Sequence, residues 1–552
     1  RHHKTKLLSN GDVEILSNQS SFNRGREYLW RGQFCTRGRR KQQCRDHQEQ
    51  ACPPRNTATG SARHHYVTVV GDLVGGGATS NLRSVIPPRF EPVLAELRPL
   101  GNMFREASFR LYVVGGTVRD LLLDRVTEQL DFDLTTDATP PDIKKLLSGW
   151  ADAVWTAGER FGTISCQKNG RTYEITTHRA EAYSPDSRKP DVKFSTDISM
   201  DLSRRDFTIN AMALELTTDN PVLVDPFGGA ADLVSRVLRT PLSPTESFSD
   251  DPLRMMRAAR FISTLKVQPV EELVSAVKEM HDRLKIISAE RIRNELDRLL
   301  VTEFPSLGLW FLVDTGLAEH FFPELPAMKL EQDPIHRHKD VLTHTFAVVE
   351  NVQPNAAPDF DFRITRLAAL FHDIGKPKTR SFKDGKGVTF HHHEVVGARM
   401  SRDRLKALRY SSEDVAAITE LVALHLRFHT YQMGWTDSAV RRYVRDAGKY
   451  LTELNVLTRC DCTTRNEKKA LMLAKRMDEL EARIAELAKE EEIAALRPEM
   501  DGAAVMEYLG VKPGRQVGLA LEFLMEIRLE DGVLGDDEIR RRLDEWWKSQ
   551  TK

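Results

Sequence analysis

Apolar spacing along this chain changes character twice. Residues 1–88 show neither a strand-like nor a helix-like period; they are rich in Arg, His, Gln, Ser and Asn and clearly basic. A basic, disordered extension is expected there. Beyond it the run from Phe109 to Val114 reads as a strand broken by Gly115-Gly116, and Val118 to Leu123 opens a helix. Leu130 to Thr135 reads as a short strand, Pro140 to Leu147 as a helix, and Gly162 to Thr177 as a hairpin turning at Asn169-Gly170. From about residue 246 the spacing is almost all helical. Leu473, Met477, Leu480, Ile484 and Leu487 alternate steps of four and three, which suits a helix packed within its own chain. The pattern predicts an α+β protein: a small mixed sheet with helices, then an all-α remainder.

At 552 residues the chain has room for several domains. Apolar residues make up 40% and charged residues 29%, with 80 basic and 80 acidic side chains, so a nucleic-acid surface has to arise by local clustering. Six cysteines at uneven spacing do not form a disulfide framework and suit a reducing compartment. Cys35, Cys44 and Cys52 lack the paired spacing of zinc ligands. No apolar run is long enough to span a bilayer, and the first residues hold no apolar signal-peptide core. The expectation is a cytoplasmic protein with no membrane partner; oligomeric state is not legible.

Asp131 and Asp133 flank Phe132 on the predicted second strand. Residues two apart on a strand face one side, so both carboxylates can meet the same pair of hard cations. Exposed acidic pairs are common, and the pair gains meaning from Gly115-Gly116 just upstream, between a strand and a helix. Glycines there let backbone N–H groups approach a triphosphate closely. Phosphate cradle and metal carboxylates on adjacent strands are the minimum apparatus for in-line nucleotidyl transfer.

Gly115-Gly116-Thr117-Val118-Arg119-Asp120 followed by Asp131-Phe132-Asp133 resembles the GGxVRD…DxD signature of CCA-adding tRNA nucleotidyltransferases of the bacterial and eukaryotic type, within the polymerase-β-like superfamily. Four more blocks follow in the family's order. They are Arg204-Arg205-Asp206-Phe207-Thr208-Ile209-Asn210-Ala211, Asp225-Pro226-Phe227-Gly228-Gly229-Ala230-Ala231-Asp232-Leu233, Asp250-Asp251-Pro252-Leu253-Arg254 with Arg257 and Arg260 beyond, and Ser288-Ala289-Glu290-Arg291. Two positions depart: Asp250 stands where the family usually has Glu, and Asp124 where it often has Gly.

The resemblance implies a polymerase-β-like head over residues 89–245, a helical neck with the base-selecting motif over 246–325, an HD-type helical body over 326–470 and a tRNA-binding tail over 471–552. It implies template-independent addition of CCA to tRNA 3′ ends from CTP and ATP. Asp131 and Asp133 would hold two Mg²⁺ ions, with Glu174 either a third carboxylate or a structural ion pair. Gly115, Gly116, Arg119, Arg204, Arg205, Asp206 and Asn210 would bind triphosphate and ribose, Asp206 accepting from the 2′-hydroxyl. Asp251 and Arg254, read as sharing a helix face as Arg254 and Arg257 do, would select the incoming base, with Asp250 orienting Arg254. The Asp225 block reads as hinge and helix start, and Ser288 to Arg291 as an N-cap with anchoring ion pairs.

A second constellation lies downstream. His372-Asp373 follows the apolar run Leu367 to Phe371; His344 precedes it, and His393, His425 and Asp461 follow. In a chain with 17 histidines this ordered set resembles the HD phosphohydrolase pattern, with histidines to spare for a second metal such as Mn²⁺, Ni²⁺ or Fe²⁺. A scaffold that carries tRNA without hydrolysis is the competing reading. Arg540-Arg541-Arg542 could meet RNA phosphates or form an ordinary solvated helix face.

Three functions compete. Full CCA addition is favoured by the segment Ala182 to Asp191, which resembles the flexible loop of full CCA-adding enzymes. Poly(A) polymerase, CC-only and A-only enzymes share the same blocks. A phosphohydrolase or nucleotide-signalling enzyme led by the HD part is disfavoured, because alarmone synthetases that join these domain types place the HD part first.

Overall fold

In the computed structural model the described residues are 87–125, 131–182, 191–330, 340–383, 387–430, 436–464, 466–491 and 497–550. The extension up to residue 86, Cys35, Cys44 and Cys52 included, and most of the Ala182 to Asp191 segment lie outside them.

The head begins with helix α1 (Glu91–Glu106), whose buried Val93, Leu94, Leu97, Leu100 and Phe104 recur at helical spacing and cover a sheet face. Strand β1 (Leu111–Val114) is buried throughout, and a tight turn at Gly115 starts α2 (Gly116–Leu122). Asp124, the family's Gly position, adopts a left-handed backbone with φ 56°, a conformation that Asp tolerates better than most side chains. Then follow β2 (Phe132–Thr136), α3 (Pro140–Leu147), β3 (Ala153–Trp155), β4 (Thr163–Lys168) and β5 (Arg171–Thr177). Asn169 and Gly170 both take positive φ, as a two-residue hairpin turn requires. A small ribbon of β6 (Arg179–Ala182) and β7 (Asp191–Phe194) precedes α4 (Ile198–Ser203), β8 (Ala213–Glu215), β9 (Leu223–Val224) and α5 (Gly229–Ser235).

The seven-stranded sheet runs β3-β4-β5-β2-β1-β8-β9. It is mixed: β2 pairs parallel with β5 and antiparallel with β1. That register sets Asp133 directly beside Glu174. The expected α+β head with a small mixed sheet is therefore what the chain forms.

The neck holds α6 (Pro244–Asp250), α7 (Leu253–Leu265), α8 (Glu271–Met280), α9 (Ala289–Leu300), α10 (Pro305–Asp314) and α11 (Ala318–Phe321). The body follows with α12 (Val341–Asn351), α13 (Phe362–Phe371), α14 (His393–Ala407), α15 (Ser412–Leu424), α16 (Asp437–Ala447), α17 (Leu451–Asp461) and α18 (Glu467–Glu491). Two departures from the all-helical expectation appear: a hairpin of Arg380–Lys383 and Gly387–Phe390, and a two-residue parallel bridge of Val237–Leu238 with Gln268–Pro269. Both strands of the hairpin are only four residues long, too short for periodicity to announce them.

Met477, Leu480 and Leu487 on α18 are buried in the main core, with Leu473 and Ile484 packed against it, so that seam closes within the chain. The last helices, α19 (Gly502–Leu509), α20 (Arg515–Asp531) and α21 (Asp536–Gln550), build a separate core of Met500, Val505, Val517, Ala520, Leu524, Ile527, Ile539 and Leu543. On α21 the basic run is occupied locally: Arg541 pairs with Glu538 and Glu545, and Arg542 with Glu538 and Asp531. These contacts make it a solvated helix face of mixed charge.

Candidate functional site

Gly115 closes β1 with φ 72° and ψ −133°, backbone that a side chain does not adopt without strain. A Cβ there would meet Arg205 Nη1 at 3.0 Å and Asp133 Oδ2 at 4.0 Å. The turn, the Arg205 guanidinium and the Asp133 carboxylate thus share one small space. Asp131 lies just before β2, and Asp133 two residues on faces the same open cleft. Crowding by protein atoms pushes the Asp133 carboxyl above its ordinary range, Arg205 pulls it down, and the Asp131 charge raises it again. Glu174 is likewise raised, by its surroundings and then by Asp133 and Asp131. Three carboxylates that repel one another beside a guanidinium suit a hard divalent cation.

Asp201 is the residue that sequence reading missed. Its side chain is fully buried, and it accepts from Arg204 Nη2 at 2.9 Å and Arg205 Nη2 at 3.2 Å. Burial would raise its carboxyl, yet the two guanidiniums hold it at about 2. Its place four residues before Arg205 on a helical turn was the available signal. This anchor helps hold the Arg205 guanidinium at the glycine turn.

Several expected ligands are already committed. Asp206 accepts from Arg257 at Oδ2 and from Phe207 N and Asn210 Nδ2 at Oδ1, so it has no free oxygen for a ribose hydroxyl. Arg119 pairs with Asp120 at 2.8 Å, donates to Asn210 Oδ1 at 2.7 Å, and lies over the Phe261 ring. Gly116 is the first residue of α2.

The expected Asp251–Arg254 pair does not form. Asp251 lies past the end of α6 in extended backbone, Pro252 intervenes, and Arg254 sits inside α7, so the two never share a helix face. Asp251 instead pairs with Arg291 at 2.9 Å. Arg254 is buried and donates to Ser247 Oγ at 2.9 Å and to the Arg204 carbonyl at 2.5 Å. Arg254 and Arg257 do share α7, and both reach the Arg204–Asp206 block. Ser288 stands at the N-cap position of α9 without a side-chain capping bond, while Arg291 makes the anchoring pair. In the Asp225 block, Asp225 accepts from Gly229 N and Ala230 N to start α5. A Cβ on Gly229 would lie 2.1 Å from the Thr208 carbonyl oxygen, so close helix packing requires glycine there.

The second cluster assembles from five helices and their ends. His344 on α12, His372 and Asp373 after α13, His393 at the start of α14, His425 after α15 and Asp461 at the end of α17 come together. His344 Nε2 is 2.8 Å from Asp461 Oδ1 and 3.6 Å from Asp373 Oδ2, and His372 Nε2 is 3.2 Å from Asp373 Oδ2. His393 Nε2 is 3.3 Å from both Asp373 Oδ1 and His425 Nε2. His372, His393 and His425 each turn Nδ1 to a backbone carbonyl, at Ala369, Phe390 and Val422, which aims Nε2 inward. Burial and then His372 push His425 down to about 3, keeping it neutral. Asp373 Oδ1 is buried without a well-formed hydrogen bond, an orphan that an ion would satisfy. The donor set of imidazoles and carboxylates fits a transition metal.

Family models match the chain in three stretches: poly(A) polymerase head domain over residues 111–239, the probable RNA- and SrmB-binding site of polymerase A over 268–328, and HD domain over 341–492. This order defines a nucleotidyltransferase with an RNA-binding neck and an HD body. An A-adding tRNA nucleotidyltransferase of Deinococcus radiodurans is 31% identical over 448 residues, 80% of this chain and 96% of that enzyme. The chain belongs to the tRNA nucleotidyltransferase family. A CCA-adding enzyme of Lactobacillus helveticus is 41% identical over 228 residues, 41% of this chain and 55% of that protein. The alignment with the Streptococcus gordonii CCA-adding enzyme spans 59% of its length, so the chain matches little more than half of these two relatives. Among solved structures, the Bacillus stearothermophilus CCA-adding enzyme in complex with CTP superposes with TM-score 0.60 over 84% of this chain and 99% of that one, at 23% identity. The Thermotoga maritima CCA-adding enzyme complexed with tRNA gives 0.54 at 21% identity, over 83% and 96%. Both share the fold.

Proposed function

We propose that the chain adds CCA to tRNA 3′ ends from CTP and ATP, without a nucleic-acid template. The observation that carries this reading is Asp133 beside the Gly115 turn and Arg205, with Glu174 paired next to it on β5 and the Asp131 charge near enough to act on both. The tRNA 3′-oxygen bonds to the α-phosphorus, the bond from that phosphorus to the pyrophosphate oxygen breaks, and the hydroxyl proton leaves to solvent. Mg²⁺ ions held by Asp131 and Asp133 would supply charge neutralisation and a lower hydroxyl pKa. The chain's own part is positional: Gly115 leaves room for the triphosphate, Arg204 and Arg205 offer donors held by Asp201, and the Asp206–Arg257 pair braces α7 against the head. Base selection falls to Asp251 and Arg254 only if nucleotide binding draws them from Arg291 and Arg204.

We assign the head to 89–245, the neck to 246–325 and the HD body from 326. Because α18 packs in the main core, we extend the body through Glu491, past the boundary at 470 that the resemblance implies. The His344–Asp461 cluster is assigned a transition metal and a phosphohydrolase side activity. A cavity flanking Asp461, lined in part by Phe428, His429, Arg459 and Met477, offers an apolar wall to such a substrate, the Arg459 guanidinium being paired with Asp478 and Glu481. Among the described residues no helix is long and apolar enough to cross a membrane; the proposed tRNA substrate is what supports a cytoplasmic setting for the reaction.

A-only addition is the second reading, favoured by the Deinococcus radiodurans relative that aligns over most of the chain. Incubating the protein with tRNA transcripts lacking CCA, CA or only the terminal A, with each NTP alone and with CTP and ATP together, tests both. Extension of all three to a CCA end supports the first reading. Extension only of the transcript lacking the terminal A supports the second, and no extension of any defeats both.

A further inference from the structure

Away from both sites, the turn after α8 and the short helix α11 bring two imidazoles together. His281 Nδ1 lies 2.5 Å from His320 Nε2, and the rings stack with centroids 4.8 Å apart. Asp282 places Oδ1 3.6 Å from the same His320 nitrogen. One ligand atom from each of the three lies within 4.8 Å of the others. The His320 side chain is only 9% exposed, whereas Asp282 is open to solvent and also pairs with Lys285. Gly316, in left-handed backbone with φ 82°, lies against the His281 ring: a Cβ there would be in ordinary contact, 3.5 Å from His281 Nδ1.

We propose that His281, Asp282 and His320 form a binding site for a borderline divalent transition-metal ion, Zn²⁺ foremost, that clamps the turn after α8 onto α11. Two imidazole nitrogens and one carboxylate oxygen are a zinc donor set, and a three-ligand site leaves the fourth position to water. The hard cations Mg²⁺ and Ca²⁺ favour all-oxygen sets, which separates this site from the Asp131–Asp133 pair. Tetrahedral bonds of about 2.0–2.1 Å put ligand atoms about 3.3 Å apart, so the two nitrogens need to part by less than about 1 Å. A small turn of the half-buried His281 ring beside Gly316 supplies that, and the ion takes the place of the Lys285 ammonium at Asp282. The site shares no residue with the HD cluster and does not depend on the proposed reaction.

The test is metal uptake by the full chain after chelator treatment, with Zn²⁺ followed by calorimetry and Co²⁺ by its visible absorption. Wild type is compared with His281→Gln/His320→Gln, with Asp282→Asn, and with His372→Ala in the HD cluster. Expected is one fewer bound ion in the double variant, at least about tenfold weaker binding of that ion in Asp282→Asn, and its retention in His372→Ala. Equal uptake by wild type and a folded double variant overturns the proposal. Should the double variant not fold, Asp282→Asn decides, since unchanged Zn²⁺ affinity at every site removes the carboxylate ligand and with it the proposal.

Discussion

Arg257 gives both Nε and Nη2 to a single oxygen of Asp206, at 2.8 and 2.5 Å, across 51 residues of chain. The pair joins the head's Arg204–Asp206 block to neck helix α7, and Glu295 on α9 lies within 3.8 Å of the same guanidinium. Asp206 is buried, so removing Arg257 leaves its charge uncompensated. Arg257→Ala is expected to cost about 3 kcal/mol of stability in urea unfolding. Asp206→Asn added to it should cost much less than the sum of the two single changes. Additive losses would mean that the two side chains do not act as a unit.

Asp201 makes acid stability a readout of the Arg204–Arg205 anchor. Its carboxyl lies at about 2 in the fold against an ordinary 3.8, so its contribution is fully present above about pH 4. That contribution is lost as pH falls through about 2 and amounts to roughly 2 kcal/mol. Asp201→Asn should lower Tm at pH 7 and flatten its fall between pH 4 and 2. The same variant should raise KM for the nucleotide more than it lowers kcat, because the arginines it positions stay charged but lose their anchor. An unaltered acid limb, or a loss confined to kcat, would contradict this role.

Asp131→Ala and Asp133→Ala should each cut nucleotide addition more than about a hundredfold while Tm moves little, since both carboxylates face the open cleft. Addition above a tenth of wild type in either variant would place the chemistry elsewhere.

Arg254→Ala tests base selection against support. If Arg254 meets the incoming base, the preferences for CTP over UTP and ATP over GTP fall by more than turnover does. If its bonds to Ser247 and the Arg204 carbonyl are its whole task, addition slows with unchanged selectivity and stability falls by about 1–3 kcal/mol. Single-nucleotide incorporation with all four NTPs, beside thermal unfolding, separates the two.

Metal bound by the body should be separable from nucleotide addition. His372→Ala is expected to lower bound transition metal in elemental analysis and to leave addition within about threefold of wild type, because the two clusters share no ligand. Equal metal content in mutant and wild type would argue against a metal-loaded HD cluster.

Much of this was legible in the residues themselves. The Gly115 and Asn169-Gly170 turns are local signals set by backbone conformations that few residues reach, and the Asp131–Asp133 spacing is one set by the two-residue alternation of a strand. The separate histidines of the body were readable as a set by residue type and order alone. By contrast, Asp201 carried no signal except its distance from Arg205, because its importance comes from complete burial between two guanidiniums.

Local backbone preference and apolar periodicity, both short-range properties, determined the α+β head and the helical remainder, while residue type and order marked the candidate acidic and histidine ligands. Tertiary structure decided the partners. Asp206 binds Arg257 and not open solvent, Asp251 turns to Arg291, and Arg254 goes to a carbonyl of the head. A charged side chain removed from water takes the best-placed opposite charge or carbonyl the packed fold offers, and sequence spacing cannot say which that is.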